Sequence, residues 1–265
     1  MLFLLPPSES KVRGGGSLNI SQVALTFGAL NPAREQVLQA LEALCRDDEA
    51  AVKALKLTAN SKADLADNLA LRQAPTMPAL SRYSGTLYEA IHSGLGGECA
   101  PLNQDAWTRA KRSVLIQSSL FGLVPATDLI PYYRLSSSSS LPGLRLADVW
   151  APAHEPVFRR LDQGLVIDLR SKAYAALAPV PSDVPSAWVE VVSRESDGAL
   201  RALNHFNKQA KGLLVRAVLM AEKAPESVAD LAEIAESIGM ELRADQSGDQ
   251  LTLITAQVKK GDLPR

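Results

Sequence analysis

The sequence predicts a single α/β domain with a mixed sheet flanked by helices. Short apolar runs typical of buried strands alternate with longer segments whose apolar residues recur at helical spacing. At 265 residues, with a hydrophobic content of 46%, the chain is long enough to bury one large core. Neither an internal repeat nor a linker divides it, so we predict one domain over residues 1–265.

The first predicted element is a strand over residues 2–5, stopped by Pro6-Pro7. The loop after it contains Lys11 and three consecutive glycines at 14–16, which either let backbone approach a ligand or form a mobile flap. The apolar run is too short for a signal peptide, and no window approaches the roughly 18 apolar residues of a membrane span. We therefore expect a cytoplasmic protein without a membrane partner.

The remaining elements follow from periodicity and from capping residues. Asn31 and Pro32 begin a helix that ends before Asp47, and Ser61 with Asp64 resembles a capping box. The five serines at 136–140 predict a flexible loop. Further helices are predicted at 49–57, 61–72, 103–112, 146–161, 171–177, 205–223 and 227–238, strands at 114–116, 165–169 and 188–192, and a hairpin over 241–258.

Metal and cofactor sites are not indicated by the sequence. His92, His154 and His205 do not pair with another histidine or cysteine at a ligand spacing, and the glycine-rich nucleotide motifs are missing. Cys45 lies in an apolar helical pattern and is interpreted as a buried thiol, whereas Cys99 follows a glycine-rich stretch. We predict no metal and no cofactor.

Positive charge is the main indication of function. The net charge is −1, which argues against a nucleic-acid binder that is basic throughout but leaves room for a local basic cleft. The segment from Asn204 to Arg216 places Lys208 and Lys211 three residues apart, on one face of a predicted helix. This face either holds a phosphate or is simply solvated.

Two further segments carry candidate binding residues. Tyr132, Tyr133 and Arg134 either stack on a base and hold a phosphate, or form a packing corner. Ser171 and Tyr174 follow the predicted strand 165–169, at the carboxyl edge where open α/β sheets bind ligands, although Ser171 also suits a helix cap.

A third basic group sits on the helix predicted over 103–112. Arg109, Lys111 and Arg112 are interpreted as a helix surface.

Together, several motifs in this order resemble the YaaA family, which is named for the peroxide stress response. Each motif is short, and the resemblance comes from their order and spacing between the first strand and about Arg216. The motifs are Pro7-Ser8-Glu9-Ser10, Tyr83-Ser84-Gly85-Thr86-Leu87-Tyr88, Leu120-Phe121-Gly122, Tyr133-Arg134-Leu135, Asp168-Leu169-Arg170-Ser171-Lys172-Ala173-Tyr174 and Lys208-Gln209-Ala210-Lys211-Gly212.

The resemblance implies a one-domain α/β protein with a positively charged cleft that limits free intracellular iron during peroxide stress. It also implies binding of duplex or single-stranded DNA, with a helix-hairpin-helix-like element at residues 52–72. This sequence departs from the family in that element, because residues 57–61 read Leu-Thr-Ala-Asn-Ser and lack the hairpin glycine. Glu9 also stands where many members have a lysine, and Lys11 lies two residues further on.

Two hypotheses of function follow, beside the plainer one of an interaction protein that uses the predicted helix 227–238 to bind a partner. In the first, a basic cleft binds DNA in a stress response that limits iron. In the second, an enzyme acts on a small phosphorylated or nucleobase-containing substrate in a pocket at the carboxyl edge, with a desolvated lysine as base or nucleophile. The expected binding residues are the same in both: Lys11, Tyr88, Tyr133, Arg134, Ser171, Tyr174, Lys208, Lys211 and Arg216.

Overall fold

The computed structural model describes residues 1–58, 63–97, 99–161, 164–195, 198–202 and 206–256. Helices and strands interleave along this part of the chain, which confirms the predicted mixed α/β class. The helices are α1 (Asn31–Leu44), α2 (Asp48–Ala54), α3 (Ala63–Leu69), α4 (Ala79–Arg82), α5 (Thr86–Ser93), α6 (Gln104–Ser113), α7 (Leu146–Phe158), α8 (Lys172–Leu177), α9 (Phe206–Met220) and α10 (Val228–Ser237). The strands are β1 (Leu2–Leu5), β2 (Thr76–Pro78), β3 (Val114–Ser118), β4 (Gly122–Pro125), β5 (Leu129–Pro131), β6 (Val166–Asp168), β7 (Ser186–Arg194), β8 (Leu200–Ala202), β9 (Glu241–Ala244) and β10 (Gln250–Ala256).

One mixed eight-stranded sheet organises the described residues. Its order is β4-β3-β1-β6-β7-β10-β9, with β8 paired to β7. Strand β1 is parallel to β3 on one side and to β6 on the other, and β7 is parallel to both β6 and β10. The antiparallel strands β4, β8 and β9 complete it, and β2 pairs with β5 in a separate two-stranded sheet. The predicted hairpin near the carboxyl terminus is confirmed as β9 and β10.

The core lies on both faces of the central parallel strands. Every residue of β1 is buried, as expected for a strand covered by helices on both sides. Helix α1 buries Val37, Leu38 and Leu41 at helical spacing, and Cys45 directly after it is buried as predicted. No helix in the described part of the chain is long and apolar enough to span a membrane.

Four strands escape sequence-based prediction. Strands β2, β4, β5 and β8 have only three or four residues each, and three of them end in a proline. Such short runs show no clear alternation. Strands β4 and β8 each pair with the strand just before them, whereas β2 and β5 pair with each other across about 50 residues. Helix α7 ends at Phe158 rather than at residue 161. The predicted capping box cannot be traced, since Ser61 lies outside the described residues.

Helix α9 differs most from its prediction. The sequence predicts one basic face carrying Asn204, Lys208 and Lys211, which either holds a phosphate or is solvated, but Lys208 is exposed whereas Lys211 is only 6% exposed. Asn204 lies outside the described residues. Burial of Lys211 follows from the close packing of α9 against α5 and the sheet, where a Cβ on Gly212 would lie 2.2 Å from the Leu87 carbonyl oxygen. A helix packed on nearly all sides leaves little solvated face.

Candidate functional site

The candidate site lies where β1, β3 and β6 end side by side. These three strands are parallel, so the loops that follow them meet at one edge of the sheet. From β1 the chain leads to β3 on one side and then crosses to β6 on the other, so the strand order reverses beside β1. Open α/β sheets bind ligands at such a reversal, outside the carboxyl ends of the strands. We call this region the carboxyl-edge site.

The loop after β1 places Lys11 at this edge. The Lys11 ammonium donates to the carbonyl oxygens of Ser8 at 2.9 Å and Glu9 at 3.3 Å. Its backbone forms an antiparallel bridge with Tyr83, and the Ser84 N–H donates to the Ser10 carbonyl oxygen at 3.0 Å. The loop is therefore anchored on both sides of the lysine.

Aromatic rings enclose the Lys11 ammonium. Its Nζ lies 4.3 Å from the centroid of the Tyr133 ring and 5.5 Å from that of Tyr83. In the described part of the chain no carboxylate lies within ion-pair distance of it. Burial, and then the charge of Arg134, lower the pKa of Lys11 to about 7. Near neutral pH a large fraction of Lys11 is therefore the free amine, able to act as base or nucleophile.

Three buried hydroxyl groups lie behind Lys11. The Tyr133 hydroxyl is 2.8 Å from that of Tyr83 and 2.8 Å from Ser118 Oγ. Ser118 Oγ also accepts the N–H groups of Leu120 and Phe121 at 3.1 and 2.9 Å. Burial raises the pKa of both tyrosines, so they stay protonated and serve as hydrogen-bond donors. Tyr133 is fully buried and offers no ring face to a base.

Tyr88 hydrogen-bonds the backbone of the loop after β1. Its hydroxyl donates to the Pro6 carbonyl oxygen at 2.7 Å, and the side chain is buried. Gly85, the residue before α5, has a φ of 92° and lies under the same loop, where a Cβ would come 3.1 Å from Ser8 Oγ. Tyr88 therefore supports the loop that carries Lys11.

Arg134 forms the partly exposed side of the site. Its side chain is 21% exposed, and the guanidinium donates to the Glu9 carbonyl oxygen at 3.3 Å and to Glu9 Oε2 at 3.2 Å. Asn68 on α3 fixes its backbone, since the Arg134 N–H donates to Asn68 Oδ1 and Asn68 Nδ2 donates to the Arg134 carbonyl oxygen. The backbone of Arg134 is thus fixed in place, while its guanidinium remains partly exposed to solvent.

Ser171 and Tyr174 lie on the β6 side of the edge. Ser171 stands at the N-cap position of α8, but its exposed side chain accepts no capping hydrogen bond. The Tyr174 hydroxyl accepts the N–H of Ser137 at 3.3 Å. Tyr174 thereby joins α8 to the serine run, which is a loop without helix or strand, while its flexibility stays a prediction.

A buried ion pair ends β6. The Arg170 guanidinium donates to both carboxylate oxygens of Asp168, at 2.9 and 2.7 Å, and also to the Gln117 side chain and the Ala178 carbonyl oxygen. Lys211 reaches the same strand end, where its ammonium donates to the Leu169 carbonyl oxygen at 3.1 Å. Burial lowers the pKa of Lys211 to about 8, although Asp168 and then Glu190 act to raise it.

Lys208 and Arg216 lie at different depths along α9. Lys208 is exposed one turn before Lys211, toward the carboxyl edge. Arg216 points instead to the end of α5, where its guanidinium donates to the carbonyl oxygens of Ile91, His92 and Ala100. The structure therefore brings together Lys11, Tyr133, Arg134 and Tyr174. It places Lys211 at the end of β6 and Lys208 near the rim, and it directs Arg216 elsewhere.

Three contributors were absent from the sequence-based list of binding residues. Asn68, Ser118 and Tyr83 form the second layer of the site. Tyr83 belongs to a family motif, but Asn68 and Ser118 carry no sequence pattern that marks them. No group of three or more metal-ligand side chains occurs within the described ranges. Residues 59–62, within the possible hairpin element 52–72, lie outside the described residues.

Comparison with known proteins gives matches over nearly the whole chain. The family described as "Peroxide stress protein YaaA" matches residues 1–246. A UPF0246 protein of Corynebacterium efficiens is 36% identical over 261 residues, which cover 96% of this chain and 100% of the relative. A UPF0246 protein of Streptomyces coelicolor is 39% identical over 248 residues, which cover 92% of this chain and 93% of that protein.

Proposed function

The chain belongs to the peroxide stress protein YaaA family, and on this premise we propose that it limits free intracellular iron through a basic surface that binds DNA at the carboxyl-edge site. Membership of the family implies a role in the peroxide stress response. The DNA ligand and the effect on iron are the proposed steps beyond that role.

The observation that carries the proposal is the position of Arg134. Its guanidinium is partly exposed at the carboxyl edge, and within the described residues it bonds only Glu9. A guanidinium with remaining N–H donors suits a phosphate oxygen. Lys208 is exposed toward the same edge, and so is Lys172 on α8. Phosphate groups spaced along DNA would match cations spread along a rim.

Binding should be measured by fluorescence anisotropy with duplex, nicked and single-stranded DNA over a range of salt concentrations. Arg134→Gln and Lys208→Gln should each weaken binding and reduce the slope of log affinity against log salt by about 1. Lys223→Gln is the matched control, because this exposed lysine follows the other end of α9. Lack of binding to any DNA at low salt would refute the DNA proposal.

A second candidate function is favoured by Lys11. Lys11 has a pKa lowered to about 7 and is enclosed by tyrosine rings. Such a lysine suits the role of a catalytic base or nucleophile better than electrostatic binding of a phosphate. We propose as the alternative an enzyme acting on a small phosphorylated or nucleobase-containing substrate. Thermal-shift measurements with nucleotides and sugar phosphates test it, since a ligand that binds only the folded protein raises Tm. No stabilisation by any of them would count against this candidate.

A further inference from the structure

We infer that Lys11 is an imine-forming lysine, whose amine condenses with the carbonyl carbon of an aldehyde or ketone that also carries a phosphate or carboxylate held by Arg134. This inference deepens the proposed function and rests on the same site. It names the reactive group of the ligand, which neither DNA binding nor phosphate binding specifies.

The contacts of Lys11 suit a lysine that reacts as a neutral amine to form an imine. Its Nζ donates to two backbone carbonyl oxygens, of Ser8 and Glu9, and these accept from a neutral amine as well as from an ammonium. In the described residues no carboxylate forms an ion pair with the nitrogen, although the more distant charges of Glu9 and Asp64 act to raise its pKa. Lys11 as a whole is partly exposed, so the residue is not sealed inside the core.

Arg134 supplies the second half of the site. It contacts the same loop as Lys11, through the carbonyl and carboxylate oxygens of Glu9. Its positive charge opposes the ammonium form of Lys11, and this charge is the second largest cause of the lowered pKa. An anionic group on Arg134 would displace the exposed Glu9 carboxylate and place an adjoining carbonyl carbon beside Lys11.

The condensation balances with the groups named. The lone pair of the Lys11 amine attacks the carbonyl carbon, and the carbonyl oxygen takes up a proton to give a carbinolamine. The carbinolamine then loses its hydroxyl group and the remaining hydrogen on the nitrogen as one molecule of water, which leaves a carbon–nitrogen double bond to Nζ. No oxidant or reductant takes part.

Two sources of ligand present this chemistry. An abasic position in DNA is an aldehyde flanked by phosphates, and a sugar phosphate is a free aldehyde that carries one phosphate. The shared requirement is a carbonyl group within reach of an anion. The two sources differ in size, since only the DNA can also contact the exposed Lys208 at the rim.

Reductive trapping tests the inference on the full chain. The protein is incubated with deoxyribose 5-phosphate and sodium cyanoborohydride, which reduces the imine to a stable secondary amine. Peptide mass spectrometry then locates the adduct. We expect labelling at Lys11 at least tenfold above exposed lysines such as Lys208, with a rate that rises with pH through about 7. Equal labelling of Lys11 and the exposed lysines would overturn the inference.

Three variants separate the roles of the residues. Lys11→Arg keeps the positive charge and should abolish the adduct. Arg134→Gln should reduce trapping of the phosphorylated aldehyde several-fold more than trapping of unphosphorylated glyceraldehyde, which is affected only through the loss of the arginine's charge beside Lys11. Lys223→Arg is the matched control, because this exposed lysine lies past the far end of α9, and it should trap like the parent. Trapping that persists in Lys11→Arg at the parent level would refute the assignment.

A parallel experiment with duplex DNA containing one abasic site distinguishes the ligand source. A covalent complex formed faster with this DNA than with deoxyribose 5-phosphate supports DNA, and the reverse supports a small substrate. Different results would also refute the imine inference and the DNA-binding proposal. DNA binding by Lys11→Arg without trapping in the parent would reject only the imine, whereas trapping without DNA binding would reject only DNA as the ligand.

Discussion

The side-chain amide of Asn68 hydrogen-bonds both backbone polar groups of Arg134, with its oxygen 2.8 Å from the Arg134 nitrogen and its nitrogen 2.9 Å from the Arg134 oxygen. Asn68 is fully buried on α3. Helix α3 belongs to the segment 52–72 that the family resemblance links to DNA, and Arg134 belongs to the carboxyl-edge site. This pair of hydrogen bonds joins the two regions.

Asn68→Ala should disturb the site beyond its effect on stability. Leaving the Arg134 N–H and carbonyl groups unpaired should cost about 1–3 kcal/mol of unfolding free energy. Displacement of Arg134 should also raise the pKa of Lys11, because the arginine's charge acts to lower it. NMR titration of dimethylated lysines measures this shift. Asn103→Ala, which removes the N-cap of α6, should cost about 1 kcal/mol without moving that pKa. An unchanged Lys11 pKa in Asn68→Ala would contradict the coupling.

Arg170→Met should be among the most destabilising substitutions. It would leave the Asp168 carboxylate buried without its bidentate partner, at a cost of about 3–5 kcal/mol. The double variant Asp168→Leu/Arg170→Met should recover part of this loss, since it removes both charges. Urea denaturation of the two variants and the parent checks the order. A single variant as stable as the double one would show that the carboxylate finds another partner.

Gly212→Ala should destabilise the packing of α9 on α5. Alanine favours helix over glycine by about 1 kcal/mol, but its Cβ would meet the Leu87 carbonyl oxygen at 2.2 Å. Separating the two helices should cost more than that gain, by about 1–3 kcal/mol. Thermal unfolding measures the balance, with Ala217→Gly on the same helix as a control for helix propensity alone. A Tm at or above that of the parent would contradict the close approach.

His154 should make the protein sensitive to acid. The ring is fully buried on α7, its Nδ1 pairs with the Trp150 carbonyl oxygen, and burial lowers its pKa from 6.5 to about 4. The unfolded chain therefore binds a proton more readily than the folded one between these values, so stability is lost as pH falls from 6.5 toward 4. The loss attributable to this group is about 3 kcal/mol.

His154→Asn tests that linkage. It removes the titrating group, so the dependence of unfolding free energy on pH between 6.5 and about 4 should flatten relative to the parent. His92→Asn is the matched control, because His92 is partly exposed and should leave the acid loss in place. Equal pH dependence in the parent and His154→Asn would exclude this histidine as its source.

The purified protein should contain no stoichiometric iron. The three histidines and two cysteines of the sequence do not pair at metal-ligand spacing, so we expect the effect on iron to be indirect. Elemental analysis by mass spectrometry gives the ratio. An iron-to-protein ratio near one would refute this prediction.

Much of the fold follows from local sequence patterns. The buried run of β1, the helical spacing in α1 and the turn between β9 and β10 each depend on residues close together in the chain, and each is predicted correctly. The carboxyl edge of the sheet was also predictable as the location of a candidate site, since the loops after parallel strands lie together there. The short strands β2, β4, β5 and β8 were not, because three or four residues show no clear periodicity, and β2 and β5 in addition pair across a long stretch of chain.

The sequence by itself determined the fold class, the family motifs and a set of basic residues. Only the tertiary structure decided which of those residues occupy the site. Lys208 and Lys211 look alike in sequence, yet one is exposed and the other lies under the end of β6. The Arg216 guanidinium donates to carbonyl oxygens at the end of α5, whereas Lys11 is enclosed by tyrosine rings and forms no ion pair in the described residues. A side chain's charge state and partners depend on desolvation and on groups distant in the chain, which no local pattern records.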